Sequence, residues 1–220
     1  MDDAPLFKYP STPHLPQSSG RSGDDTALGD AAHFAGRTVV VTEKLDGENA
    51  TLYRHHYHAR SLDSRHHPSR DWIKRFWAAK QHDIPPHLRI CGENLYARHS
   101  IGYEGLSSYF YGFSVWDNDR NLCLSWAETL DWFALLDIVP VPVLYEGPYS
   151  EAVIDKLIRA IDTRTQEGFV VRNAEAFAYE AFAANMAKWV RPRHVQTDTH
   201  WMHAEIVPNG LAASKSEGDA

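Results

Sequence analysis

Apolar positions along this chain fall mostly into short runs rich in β-branched and aromatic residues, interrupted by a few stretches where they recur at helical spacing. The runs predict strands at 38–44, 50–54, 57–61, 88–95, 109–116, 141–145, 168–172 and 186–190. Three segments read as helices. The first follows Pro68-Ser69 and carries Trp72, Ile73, Phe76 and Trp77 on one face. The second opens at Ser125, with Glu128 completing a capping box, and is expected to bury Leu130, Phe133 and Leu136. The third begins near Ser150 and aligns Val153, Ile154, Leu157, Ile158 and Ile161. Strands and helices do not alternate regularly, so the pattern predicts an α+β fold of largely antiparallel sheets with flanking helices.

The ends differ in character. Residues 1–36 are rich in Pro, Ser, Gly and Asp. Within them, Tyr9 to Pro16 reads as an extended arm against the domain, and Gln17 to Asp30 as a mobile loop. The main domain is expected over 37–208, and a disordered tail over 209–220. With 220 residues, 43% of them hydrophobic, one domain with a substantial core is expected. The formal charge of −7 argues against a passive nucleic-acid binder, though not against an enzyme with a locally basic site. Cys91 and Cys123 are too few for a disulfide framework or a cysteine zinc site. No apolar run is long enough to span a membrane, and no signal peptide is visible, so a cytoplasmic protein is expected.

The chemistry centres on Lys44. The run Val39-Val40-Val41-Thr42-Glu43-Lys44-Leu45-Asp46-Gly47-Glu48-Asn49 feeds a strand into Lys-x-Asp-Gly. A lysine amine attacks phosphorus only when unprotonated, and burial beside other cations would favour that form. Asp46 suits a ribose hydroxyl or a metal, and Gly47 allows close approach of a nucleotide. Arg60 follows on the next strand pair and could grip a phosphate. Glu93 lies in Gly92-Glu93-Asn94-Leu95, Phe113 in the aromatic strand Tyr109 to Asp117, and Glu167 in Glu167-Gly168-Phe169-Val170-Val171-Arg172. Met186-Ala187-Lys188-Trp189-Val190-Arg191 adds a second lysine on an apolar strand.

Taken in order, these segments resemble the covalent nucleotidyltransferase superfamily, and within it the ATP-dependent RNA ligases of the nick-sealing and RNA-editing branch. Gly92 to Ile101 and Lys188 to Arg191 carry the closest likeness, and the resemblance covers roughly residues 8–203. It implies that Lys44 becomes adenylylated, with Glu43 and Asn49 flanking it in the nucleotide pocket. It further implies that Arg60 contacts the AMP phosphate, Glu93 the ribose, Phe113 the adenine face and Lys188 the α-phosphate. Glu167 would assist through Mg²⁺ or Mn²⁺. The substrates implied are ATP and RNA ends or a nicked duplex. The likeness is confined to the nucleotidyltransferase part, which suggests a separate end-healing kinase or phosphatase as partner. Two departures stand out: Ser114 where many relatives carry Asp, and Met186 where a lysine often precedes Lys188 by two residues. The alternatives are a DNA ligase or guanylyltransferase, and a non-catalytic nucleotide- or RNA-binding module of the same fold.

Two further groups are set apart. Arg54, Arg60, Arg65, Arg70, Lys74 and Arg75 could form a track for a nucleic-acid backbone. His55, His56, His58, His66 and His67, and the later set His194, His200 and His203, invite a zinc reading. Alternation along a strand disfavours it, because His55 and His56 would face opposite ways.

Overall fold

A computed structural model describes residues 5–20, 25–63, 65–192 and 206–213. Among these described residues, eleven strands and three α-helices follow in chain order: β1 Thr38–Lys44, β2 Glu48–Leu52, β3 Tyr57–Ala59, α1 Asp71–Lys80, β4 Leu88–Asn94, β5 Phe110–Asp117, β6 Leu122–Cys123, α2 Trp126–Leu135, β7 Val139–Pro140, β8 Val143–Pro148, α3 Glu151–Ala160, β9 Gly168–Asn173, β10 Phe177–Ala178 and β11 Met186–Val190. They form two sheets. One has the order β11-β9-β1-β8, the other β10-β6-β5-β4-β2-β3 with β7 beside β5. Every pairing is antiparallel except that of β5 with β7. The mixed, largely antiparallel α+β architecture is the one the pattern predicts.

Central position explains the unbroken apolar run of β1. Val39 and Val41 pack outward with Phe169, Val171, Trp189 and Ile154 of α3. Val40 points the other way, into a cluster with Leu95, Tyr111 and Trp126 between the sheets. A strand buried on both faces has no polar side to show. Helices α1 and α2 cover the second sheet, with Ile73 and Phe133 packed against Leu52, Ile90, Phe110 and Val115. Ser125 and Glu128 form the expected capping box. Of the three residues expected inside, Phe133 and Leu136, the latter just past the end of α2, are buried and Leu130 only partly.

Other boundaries move. The strand expected at 50–54 starts earlier, at Glu48, and the one expected at 141–145 runs over Val143–Pro148. Strands β6, β7 and β10 have two residues each, too short for a periodic signal. The stretch 17–30, expected to be a loop, packs where it is described. Gly20 donates to the Val190 carbonyl, and Ala27 bridges His14. The tail expected from 209 is likewise held as far as 213. Asn209 is 5% exposed, its Nδ2 donates to the Leu95 carbonyl at 2.7 Å, and its Oδ1 accepts from the Tyr103 amide at 2.9 Å. Composition carried no sign of these distant partners. The histidines at 194, 200 and 203 lie outside the described residues.

Candidate active site

The turn Leu45 to Gly47 carries the chain from the first sheet to the second, since β1 ends at Lys44 and β2 starts at Glu48. Only glycine fits at 47. A Cβ there would lie 2.5 Å from the Asn94 carbonyl oxygen. The Gly47 amide donates to Glu93 Oε1 at 3.1 Å, so the crossing is tied to β4.

Strand alternation then selects what faces the gap. On β1, β9 and β11 the even-numbered residues Thr42, Lys44, Val170, Arg172, Met186 and Lys188 line a cavity of about 620 Å³. The odd-numbered residues Val41, Phe169, Val171, Ala187 and Trp189 form the outer core. From the second sheet come Asn49, Glu93 and Phe113. Phe113 owes its aim to an irregularity. Cys91 pairs with Ser114 but Gly92 pairs with Gly112, which leaves Phe113 as the extra residue of a bulge. The cavity size falls within the range of small-molecule and cofactor sites, roughly 300–1,000 Å³.

Register places the central pair. Lys44 lies opposite Gly168, so the preceding Glu167 meets it, and Lys44 Nζ donates to Glu167 Oε2 at 2.5 Å. Gly168 allows this closeness, because a Cβ there would sit 2.0 Å from the Trp189 carbonyl oxygen. Glu167 is 5% exposed and does not line the cavity itself. Burial alone pulls the Lys44 pKa down, but Glu167, Glu93 and Asp46 outweigh it and the net shift is upward. The sequence reading expected cations to release the amine, whereas the fold surrounds it with carboxylates and holds it as ammonium. Glu93 answers in kind. Its burial, reinforced by Glu167 and Asp46, pushes the carboxyl up to about 8 despite the nearby lysine. Lys188 is shifted downward, by burial first and then by the Lys44 charge, with Asp25 opposing.

The remaining expected residues divide. Glu43 lines the cavity, where burial raises its pKa and a bond with Gln166 restrains the rise. Asn49 lines it too, with its buried Oδ1 unpartnered. Arg60 stands at the rim, exposed, with Nη2 donating to Ser11 Oγ at 3.1 Å. Asp46 is the exception. Its Oδ2 accepts from the Ser100 amide and hydroxyl and from the Ile101 amide at 2.9, 2.5 and 2.9 Å, and the residue does not line the cavity. The carboxylate thus fastens the loop beside the lysine.

Several cavity residues were not foreseen. Glu48 and Arg70 form a bidentate pair in the wall, and His99 lies near Asp46, Glu48 and Glu167 with its pKa lowered chiefly by burial. Tyr9 and Pro10 of the arm also line the cavity, and the Tyr9 ring meets Phe113 edge-on at 5.1 Å. Arg172, although in the lining, donates to the Leu124 carbonyl at 2.8 Å and lies over the Trp126 ring. Ser114 Oγ accepts from Trp116 Nε1 at 3.0 Å. Of the proposed basic track, Arg70 is committed to Glu48, and Arg54 Nη1 donates to the His82 carbonyl at 2.9 Å. His66 and His67 instead bond Asp71 and Ser69.

A model of the RNA ligase family matches residues 37–190, the span that holds Lys44, Glu93, Phe113, Glu167 and Lys188. The chain belongs to the RNA ligase family. No curated protein matches its sequence. Among solved structures, this RNA ligase family member is similar to a mutant of Naegleria gruberi RNA ligase with ATP and Mn, at 16% identity and a TM-score of 0.53, over 76% of this chain and 53% of that one. It is also similar to an archaeal ATP-dependent RNA ligase at 17% identity and a TM-score of 0.55, over 86% of this chain and 49% of that one. These likenesses show a common fold. The chain spans about half the length of the solved proteins it matches.

No three His, Cys, Asp or Glu side chains among the described residues converge as a metal cage. A divalent ion fits here when most of its ligands come from a nucleotide, which is the habit of Mg²⁺. The carboxyl groups that line the cavity are Glu43, Glu48 and Glu93, and Glu167 stands behind Lys44.

Proposed function

We propose that this protein is an ATP-dependent RNA ligase that works through an AMP adduct on Lys44. The observation that carries the reading is the Lys44–Glu167 contact of 2.5 Å at the wall of a nucleotide-sized cavity. A lysine kept as ammonium at rest needs a proton acceptor at the moment of attack, and Glu167 Oε2 already touches it. One ammonium proton passes to Glu167; as the Nζ–phosphorus bond forms, the bond from the α-phosphorus to the bridging oxygen breaks, and the second proton leaves with pyrophosphate or to solvent. Lys188 and Arg60 would offset charge on the phosphates, and the ring of Phe113 would meet the base. Glu93 would accept from a ribose hydroxyl, and Asn49 Oδ1 supplies an acceptor still open for the substrate. A divalent ion, Mg²⁺ or Mn²⁺, held by the nucleotide with Glu93 or Glu167, would supply charge neutralisation on the phosphates.

AMP then moves from Lys44 to the 5′-phosphate of an RNA end, and a 3′-hydroxyl displaces it to seal the strand. The covalent intermediate divides one difficult condensation into separate steps. Ends that carry other groups would first need a kinase or phosphatase, the partner chemistry this reaction requires. A nicked duplex and a pair of free RNA ends are the substrates to compare, each beside its DNA counterpart. Sealing of RNA but not DNA, dependent on ATP and lost in Lys44→Ala, is the expected result. Sealing of DNA alone would assign a DNA ligase, and an adduct with GTP alone a guanylyltransferase.

A further inference from the structure

The N-terminal segment makes one contact with the cavity wall that the proposed chemistry does not use. Residues 13–15 add to the free edge of β11. The Lys188 amide donates to the Pro13 carbonyl and the Leu15 amide to the Lys188 carbonyl, both at 2.8 Å. The chain then returns alongside, with the His14 amide donating to the Thr26 carbonyl at 2.8 Å and the Leu28 amide to the His14 carbonyl at 2.9 Å. This double pass delivers two side chains to Lys188. Asp25 Oδ1 lies 3.5 Å from Lys188 Nζ, and Asp25 Oδ2 lies 3.4 Å from His14 Nε2. Behind them, His14 Nδ1 meets Ser18 Oγ at 2.7 Å, and that oxygen accepts from the Val190 amide at 3.0 Å. The serine hydroxyl also lies 3.5 Å from the Val190 carbonyl oxygen, so contacts with the β11 backbone fix the serine and the serine fixes the imidazole that stands beside Asp25.

We propose that Asp25, steadied by His14 and Ser18, is a positioning residue that holds the Lys188 ammonium against the wall of the nucleotide cavity. The arrangement has a direction. Lys188 lines the cavity and Asp25 does not, so the carboxylate grips the amine from outside the space a phosphate would enter. His14 is 1% exposed and Asp25 26%, so the relay runs from the packed arm to a partly wet ion pair. Its need follows from the neighbour: Met186 stands on the same face two residues earlier, buried at 5% against Trp116 and Phe182. Met186 therefore offers Lys188 no ion partner along the strand, and the arm supplies one. Lys44 receives the equivalent service from Glu167. The inference rests on the proposed phosphate-binding role of Lys188.

The test is a double-mutant cycle in single-turnover adenylylation. AMP-free wild type, Asp25→Asn, Lys188→Met and the double variant are mixed with α-labelled ATP and Mg²⁺. Asp25→Asn is expected to slow adduct formation at saturating ATP about tenfold, the scale of one charged contact in a transition state. The half-saturating ATP concentration should stay within about twofold, and Asp25→Glu should restore the rate. In the Lys188→Met background, Asp25→Asn should add nothing. Wild-type rates in Asp25→Asn, faster rates, or losses that multiply in the double variant would each overturn the proposal.

A second measurement needs no adduct and separates failure of this idea from failure of the ligase reading. Competitive acylation of Lys188 at pH 8, read by peptide mass spectrometry, should rise several-fold in folded Asp25→Asn, because an ammonium without its counter-ion gives up its proton more readily. Unchanged labelling would overturn the proposal even if wild type forms no adduct.

Discussion

Replacing Glu93 by Gln should make the ligand-free protein more stable, by an amount that grows as the pH rises from about 4.5 to about 8. Glu93 sits among Glu167 and Asp46 in a buried wall and titrates at about 8, far above a free carboxyl near 4.5. A carboxyl that holds its proton more tightly when folded costs nothing while both states are protonated. As the pH rises past about 4.5 the unfolded chain ionises first. The folded state then loses ground until its own carboxyl ionises near 8. Each tenfold in proton affinity is worth about 1.4 kcal/mol, so the gap sets a ceiling of about 5 kcal/mol. Screening by solvent at the cavity mouth brings the expected gain to about 2 kcal/mol. Glutamine keeps an oxygen for the Gly47 amide, so the turn is preserved. Urea melts of both proteins from pH 5 to 9 provide the assay. The stabilities should differ by less than about 1 kcal/mol at pH 5 and by about 2 kcal/mol at pH 8.5, the latter equivalent to about 6 °C in melting temperature. Curves that stay parallel, or a Gln variant that is weaker at pH 8.5, would refute the electrostatic account of the site.

Other substitutions probe the framework. Arg70→Met strands the Glu48 carboxylate, which is 11% exposed, and should cost about 3–5 kcal/mol in urea denaturation. Gly168→Ala drives a Cβ to 2.0 Å from the Trp189 carbonyl oxygen, so β9 must part from β11. A loss of about 3 kcal/mol should appear in thermal melts, together with loss of adenylylation. Asn209→Ala leaves the Leu95 carbonyl and the Tyr103 amide without their side-chain partner. It should cost about 2 kcal/mol and increase hydrogen exchange at the Tyr103 amide.

What the sequence disclosed follows the range of each interaction. Strand β1, the capping box at Ser125 and the third helix depend on near neighbours, and their patterns were readable. The gathering of Lys44, Glu93, Phe113 and Lys188 was readable only through the family resemblance that the order of their segments carries. The state of Lys44 was not. Its ionisation depends on Glu167, 123 residues away, and on Glu93, which meets it only after β2 pairs with β4. Asp46 reads as a ligand from its place in Lys-x-Asp-Gly, yet its Oδ2 takes three donors from the loop at Ser100 and Ile101. Residues 206–213 have a tail-like composition. Asn209 fixes them by donating its amide to the Tyr96 carbonyl and accepting from the Tyr103 amide and the Tyr109 hydroxyl, which no local pattern reports.

Adduct formation at Lys44 tests the central claim most directly. AMP-free protein should be incubated with Mg²⁺ and α-labelled ATP, beside labelled GTP and the Lys44→Ala variant. The account predicts a labelled protein with ATP only, with AMP located on Lys44 by peptide mass spectrometry and no label in the variant. An adduct on another residue, or a folded, AMP-free wild type that takes no label, would contradict it.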